Sequence, residues 1–405
     1  MASSINGQNG GDGAQEALRI PSLWITGIGS QYPPYRLGPE KLDEFAKRFY
    51  DVEKPGLKKL LQINRTTGID TRASVRAYDS GFANRPDPPS IIDLDSFYRQ
   101  VGVDLAAQAC RKAMKEWGGS PADITHTIAV TCTNQGNPGY DLLVAGRLNL
   151  PHTVERILMH GVGCAGGLAI MRVAAQIACG TAVRDKPARI LAFACELCTP
   201  NVRHDLAEAE ACADPANINI AGVLFSDAAA AFVLCNEQGM LHDLEEREPP
   251  FQLLEWENST IPSTMEHMSF YADPTGFRTV LTRDVPGLIK KAIGPAFQKL
   301  LPSFQAQTGL ERVGIPEFDW ALHPGGQAII IGAQEELGLT DDQLRATRQV
   351  YKTRGNSASP TVLVILDLLR NMGRGRDHVV ATSFGPGLVV EMALLKRCRG
   401  DSVDT

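Results

Sequence analysis

The 405-residue sequence has no excess of positive charge: 40 Lys and Arg stand against 46 Asp and Glu, a net charge of −6. A protein whose main partner is nucleic acid needs a basic face, so that class is set aside. Long hydrophobic runs are also missing. The longest, Ala228 to Cys235, falls well short of the roughly 18 residues of a membrane span. The N-terminus has neither the basic flank nor the apolar core of a secretory signal. There is no even, closely spaced cysteine framework. The nine cysteines are scattered, which fits reduced thiols in a cytoplasmic enzyme. No second Cys/His pair at metal-ligating spacing accompanies Cys195-x-x-Cys198, which ends a strand without opening a thioredoxin-like helix and reads as structural.

What is there is an ordinary soluble composition, 43% apolar and 21% charged. Such a chain can bury most of its apolar surface without staples. At roughly 150 residues per domain it forms two to three domains or one two-lobed unit. Residues 1–20, rich in Gly, Ser, Asn and Gln, read as a disordered leader. Two halves follow, residues 21–248 and 249–405.

Leu23 to Gly29 looks like a first strand and loop, Leu42 to Tyr50 an amphipathic helix, Asp79 to Pro89 a long loop, and Leu105 to Trp117 a helix. Ile124 to Thr131 reads as a buried strand and Asp141 to Leu148 as a helix. Val154 to Met159 is strand-like, followed by a Gly-rich turn (Gly161 to Gly167) and a helix from Leu168 to Ala178. Ala188 to Cys195 and Ala228 to Cys235 are buried strands. After Glu237 the pattern loosens. Helices are expected over Asp284 to Leu300, Gly325 to Leu337 and Thr361 to Met372, a strand ending at Trp320 to His323, and a strand end with a turn over Tyr351 to Ser357. Val379 to Ser383 and Gly387 to Leu395 bracket a Ser-Phe-Gly-Pro-Gly loop with strands. Strands alternating with helices imply an α/β protein with a largely buried sheet. Each half has a turn of small residues leading into an apolar helix, Gly161 to Ala178 and Gly355 to Met372, although no clean repeat is visible.

Cys164 sits in the first of these turns. Flanking glycines allow a tight turn, and the helix that follows points its N-terminal amides at the sulfur, favouring the thiolate, which is the nucleophile. The plainer alternative is a small buried cysteine packed on the sheet. The same turn matches G-x-G-x-x-G through Gly161, Gly163 and Gly166, a dinucleotide fingerprint. However, the next strand brings its acidic residue, Glu196, 30 positions beyond Gly166, later than the expected ~20. A nucleophilic cysteine needs a base and oxyanion donors. His323, in Leu-His-Pro-Gly-Gly, closes a strand where α/β sites gather. His126, His152, His160, His204, His242, His267 and His378 lack such a frame. Asn356 can donate its amide to a developing oxyanion, or cap the helix behind it.

These residues occur in the order of a known family. Cys164 in Gly-Val-Gly-Cys-Ala-Gly-Gly, His323 in His-Pro-Gly-Gly, Asn356 in Gly-Asn-Ser-Ala-Ser and the late Phe384-Gly385-Pro386-Gly387 together resemble a type III polyketide synthase of the chalcone synthase superfamily, closest to its fungal and bacterial members. Asn64 to Ile69, Cys132-Thr133-Asn134, Leu224 to Ala228 and Asp284 to Gly287 support the resemblance, which spans about Ser22 to Leu395. It implies a thiolase-like αβαβα five-layered fold built from two related halves, a homodimer, and no cofactor beyond CoA thioesters, with acyl-CoA and malonyl-CoA as substrates. By position it implies that Cys164 carries the acyl group, that His323 pairs with the thiolate as imidazolium, and that Asn356 with His323 stabilises the malonyl-derived enolate. Phe225 matches the Phe between CoA tunnel and elongation cavity. Asn134, Cys198, Asn201, Ala221, Thr279, Ala358, Phe384, Gly385 and Pro386 fall on or beside the cavity wall.

The departures matter. Thr279 replaces the second gatekeeping Phe of plant chalcone synthases, Asn201 and Ala358 replace their cavity-lining Thr and Ser, and Asn137 stands where they place a Met. Loss of the Phe predicts a roomier mouth and hence a long fatty acyl-CoA starter, giving alkylpyrone or alkylresorcinol-type products. CoA phosphates require a basic rim, for which Lys58, Lys59 and Arg65 are candidates beside the alternative of a solvated helix face. The rivals are a β-ketoacyl-ACP synthase III-like enzyme, which usually shows His-Gln-Ala-Asn where His323 to Gly326 stand here, an HMG-CoA synthase, which needs a glutamate base, and, from another class, an NAD-dependent oxidoreductase.

Overall fold

The computed structural model describes residues 21–79, 81–240, 248–373 and 375–398. The leader expected over residues 1–20 lies outside them, as do residues 241–247 (His242 among them, beside the expected boundary at 248) and residues 399–405. The strands are β1 (Leu23–Gln31), β2 (Tyr35–Leu37), β3 (Arg72–Ser74), β4 (His126–Val130), β5 (Glu155–Met159), β6 (Arg189–Leu197), β7 (Asp227–Asn236), β8 (Phe251–Thr260), β9 (Met268–Asp273), β10 (Gly276–Leu281), β11 (Phe318–Leu322), β12 (His378–Gly385) and β13 (Val389–Arg397). The helices are α1 (Pro39–Phe49), α2 (Pro55–Asn64), α3 (Ile91–Trp117), α4 (Tyr140–Arg147), α5 (Gly166–Ala182), α6 (Val202–Ala211), α7 (Ala221–Leu224), α8 (Val285–Thr308), α9 (Gln327–Leu337), α10 (Arg345–Arg354) and α11 (Thr361–Leu369).

Nine strands form one sheet in the order β11-β12-β13-β8-β1-β7-β6-β4-β5. Read outward from the β1–β8 pair, both halves obey one rule. β1 runs antiparallel to β7, β7 to β6, and β6 parallel to β4. Likewise β8 runs antiparallel to β13, β13 to β12, and β12 parallel to β11. The duplication that the sequence hides is therefore explicit in the topology.

Side-chain alternation along the strands builds the layers. On β6, Ile190, Ala192 and Ala194 face a central core shared with Leu168 and Ile170 of α5 and Val362 and Ile365 of α11. Leu191, Phe193 and Cys195 face the other way, onto α3 and α4. On β12, Val379 and Ala381 face the same central core, while Val380 and Phe384 turn toward α8 and α9. The stack is thus helix, sheet, helix, sheet, helix, with α5 and α11 in the middle: a thiolase-like fold. The span Gly163–Ala182 is long and apolar enough to cross a membrane by length and composition alone, beyond what the apolar-run criterion anticipates. In the fold it is that middle layer, with nine of the residues of α5 buried.

Several local expectations are corrected. α3 begins at Ile91, not Leu105, because Ser90 and Asp93 form a capping box there and Gly118 in a left-handed conformation ends it. Tyr351 lies in α10 rather than at a strand end, and Gly355 (φ 76°, ψ −161°) makes the turn to Asn356. α8 runs through Pro295 and Pro302 to Gly309. The loosened region after Glu237 contains β8, whose pairing comes from β1 and β13 far away in sequence.

The two middle helices approach most closely at Gly167. A Cβ there would lie 2.5 Å from the Ser359 carbonyl oxygen and 2.8 Å from Val362 Cγ1. Gly167→Ala is expected to lower stability by about 1–3 kcal/mol, as overpacking of a filled core does, and to depress activity because both halves of the site ride on this contact. A denaturant midpoint unchanged from wild type would contradict it.

Candidate active site

The nucleophile turn is built from close packing. Cys164 lies in a 3-10 turn, Gly163–Ala165, between β5 and α5. Gly163 has φ +45°, and a Cβ on it would sit 2.6 Å from Cδ of Pro386. The same loop closes in from the other side, because a Cβ on Gly385 would collide with the Val162 carbonyl oxygen. The Ser-Phe-Gly-Pro-Gly loop is thus the lid of the cysteine turn. This packing also rules on the dinucleotide reading. Pro386 fills the space over Gly163, and Ser359 packs against Gly166, where a pyrophosphate would have to lie.

His323 follows β11 and is fixed by its backbone, which donates to Thr382 O on β12 (2.8 Å) and accepts from Gly325 N (3.0 Å). Its ring is 1% exposed, and neither nitrogen has a hydrogen-bond partner among the described residues. Asn356 is held between strand-like bonds: its N donates to Leu224 O (3.0 Å) and its O accepts from Ser226 N (2.7 Å), with Phe225 as bridge partner. Asn356 Oδ1 accepts from Ala358 N at 2.8 Å. Since a backbone N–H can only donate, this fixes the amide orientation and turns the NH2 toward Cys164, to which it donates.

Burial shapes the electrostatics of both groups. Burial, and then the carboxylate of Glu196, push the Cys164 thiol up to about 12, against the opposing Asn356 hydrogen bond. Burial pushes the His323 imidazole down to about 3. Taken singly, each group is thus shifted toward its neutral form. Burial is the largest cause of both shifts: the pocket penalises a lone charge of either sign. Passing the thiol proton to the imidazole creates two opposite charges together, so the groups ionise as a unit. Glu196 is the glutamate that sequence reasoning missed. It accepts from Thr131 Oγ1, Cys132 N, Thr133 N, Thr133 Oγ1 and Ser359 Oγ, which occupies it as an anchor between the halves.

Cys164, His323 and Asn356 open into one cavity of about 480 Å³. Phe225, Cys198, Asn201, Ala221, Thr279, Ala358, Phe384, Pro386 and Lys59 line it as well. Other expectations fail. Asn134 is turned away, donating to Asp95 Oδ1 at 2.7 Å. Gly385 supports the cysteine turn without lining the cavity. Lys58 pairs with Glu53 in solvent, and Arg65 is held by Asp43 at 2.5 Å, so neither faces the cavity. Lys59, by contrast, has no ion pair among the described residues, and Arg283 joins it in the lining. Cys132 and Asp205 also line the cavity and were missed. The available signal was strand direction: Cys132, Cys164, Cys198 and His323 all follow the carboxyl ends of parallel strands. Thr279 stands beside aromatic side chains. Its cross-strand partner is Phe270, which stacks on Phe277 at 5.0 Å, and both rings line the cavity.

Residues 88–237 match the N-terminal domain of chalcone and stilbene synthases and residues 252–399 their C-terminal domain. The chain is 66% identical over 391 residues to the type III polyketide synthase pspB of Penicillium soppii, covering 94% of this chain and 98% of that protein. It is 38% identical over 387 residues to the acylalkylpyrone synthase csyB of Aspergillus oryzae, covering 94% and 96%. The crystal structure of CsyB complexed with CoA-SH is similar with a TM-score of 0.88 at 37% identity, over 93% of this chain and 100% of that one.

If the thiol and imidazole ionise as a pair, His323→Gln removes the counter-ion of the thiolate. Alkylation of Cys164 by iodoacetamide, followed against pH, is then expected to show its inflection about 1–3 pH units higher than in wild type. An unshifted inflection would show that the thiol ionises without His323.

Proposed function

The chain is a type III polyketide synthase of the chalcone and stilbene synthase family, and from that premise we propose that it loads a long-chain fatty acyl group from CoA onto Cys164, extends it with malonyl-CoA and closes it to an alkylpyrone or alkylresorcinol-type product. Enzymes of this family are transferases that perform decarboxylative condensation on CoA thioesters. In our reading, His323 takes the Cys164 proton as the sulfur attacks the acyl thioester carbon and the CoA thiolate leaves. When malonyl-CoA follows, its carboxylate departs as carbon dioxide and the released electron pair becomes an enolate. The Asn356 amide and the His323 ring donate to the enolate oxygen, the preorganised arrangement that lowers such barriers. The enolate carbon then attacks the Cys164 thioester. Breaking the carbon–carboxylate bond supplies the carbanion, so the step calls for no metal or redox cofactor.

The observation that carries the starter assignment is the lining of the cavity. Ile63, Leu197, Val202, Ile218, Ile220 and Leu281 make its wall apolar. Each methylene buried there is worth about 0.8 kcal/mol, a gain that an alkyl chain collects along its length. The acylalkylpyrone synthase named among the relatives supports the same class of product. Lys59 and Arg283, both exposed, are the cations we assign to the CoA phosphates. We also propose a cytoplasmic homodimer in which β5 meets its copy, since that strand ends the sheet and its first three residues are exposed.

Incubation with malonyl-CoA and an acyl-CoA panel, with product mass analysis, tests the assignment. Decanoyl to octadecanoyl starters are expected to outrun coumaroyl-CoA, and the reverse order would sink the fatty starter. Cys164→Ala is expected to abolish condensation. Asn356→Ala should lower malonyl-CoA decarboxylation about a hundred- to a thousandfold, the usual loss for one oxyanion donor, measured as carbon dioxide release.

A further inference from the structure

One titratable group inside the cavity has no part in loading, decarboxylation or condensation. Asp205, on α6, lines the cavity. Its Oδ1 accepts from Asn201 Nδ2 at 3.0 Å. Asn201 is itself clamped to β10, with Nδ2 on Phe277 O (2.9 Å) and Oδ1 on Phe277 N (2.8 Å), so the carboxyl is held by a rigid neighbour. Oδ2 has no hydrogen-bond partner among the described residues and lies over Gly222, where a Cβ would come within 2.7 Å of the Asp205 Cβ and 3.2 Å of Oδ2. The absence of a side chain at Gly222 keeps room beside this oxygen. Asp205 and Cys164 line the same cavity.

We propose that Asp205 is the acid–base group that converts a ketone of the enzyme-bound poly-β-keto chain to its enol and so primes ring closure; this rests on the proposed polyketide reading of the cavity. The step balances within the protein and its substrate. The Oδ2–H bond breaks as the ketone oxygen takes that proton. The adjacent carbon loses its proton to the carboxylate, and the freed electron pair forms the carbon–carbon double bond. The acid is regenerated, and no further reactant is consumed. The enol then attacks through oxygen or carbon, whichever the fold of the chain brings to its electrophile.

The surroundings favour the protonated acid at rest. Burial, and then Glu208 one turn along α6, raise the Asp205 carboxyl to about 8, against the Asn201 hydrogen bond and the Arg72 guanidinium. Arg72 is committed to Gly222 O, Phe225 O and Tyr78 Oη, and Glu208 to Asn219. Tyr50, Tyr78 and Cys198 are the other titratable groups that feel Asp205, all with raised values and neutral in the same range. Because the folded value lies above that of an ordinary carboxyl, the donor form is complete below it and is lost as pH rises through about 8.

The test follows products and CoA release together. In wild type the ring-closed fraction is expected to fall as pH passes about 8. Asp205→Asn, which keeps shape and the Asn201 contact, is expected to release CoA from malonyl-CoA within about threefold of wild type while the ring-closed fraction drops at least tenfold in favour of open-chain keto acids, with no pH dependence left in that ratio. Asp205→Glu should restore part of it. An Asn variant with the wild-type product profile overturns this proposal alone. A wild type that makes no polyketide from any acyl-CoA and malonyl-CoA overturns the reading beneath it. Should the Asn variant not fold, a wild-type ring-closed fraction that stays flat from about pH 6 to 10 overturns the proposal by itself.

Discussion

The contact between α5 and α11 is the constraint on which the rest depends. Gly166 and Gly167 let the start of one helix touch Ser359 just before the other. Cys164 is two residues from the first of these glycines and Asn356 three from the serine. Cys164 and Asn356 are therefore neighbours because two glycines have no side chains. Glu196 then ties the same serine to the end of β4, so the carboxyl end of one half-sheet is stitched to the turn of the other half. His323 enters from β11, whose parallel pairing with β12 fixes where the strand stops. Three segments far apart in sequence converge because the duplicated topology sends them to the same end of the sheet.

Around that convergence the walls are apolar, and the electrostatics follow from this. A charge that must appear during the reaction is costly until its partner appears, so the pocket couples ionisation to the arrival of an opposite charge. Two buried carboxyl groups outside this exchange are held by donors: Glu196 by five, Asp227 by Thr199 and Val75 N. Both ring nitrogens of His323, by contrast, have no hydrogen-bond partner among the described residues. A group left without partners in a protein interior keeps its donor and acceptor capacity for a visitor.

Much of this was legible in the sequence where the signal is local. β6 and β7 contain continuous apolar runs, and the turns around Cys164 and His323 announce themselves through glycine and proline. Cys164 and His323 were readable because each follows a strand with a turn beside it, and Asn356 because a glycine turn precedes it. What stayed hidden depends on partners distant in sequence. β8 carries Glu255, Glu257 and Asn258 and looks unlike a strand until β13 pairs with it. The first turns of α3 are set by one capping box, ahead of any clear periodicity. Whether Lys58, Lys59 or Arg65 faces the cavity is decided by Glu53 and Asp43, a choice that composition does not record. The upward push on the Cys164 thiol was hidden for the same reason: a helix terminus is visible in sequence, whereas the depth of burial is not.

The hairpin of β9 and β10 stands outside the nine-stranded sheet. Phe270, Phe277 and Thr279 therefore present their side chains to the cavity from a support that shares no ladder with the strands holding Cys164 and His323. Substitutions there can resize the aperture without altering the register of the sheet. Selectivity and scaffold are thus separable in this molecule, and a lineage could drift between substrates along one short ribbon while its chemistry stayed fixed.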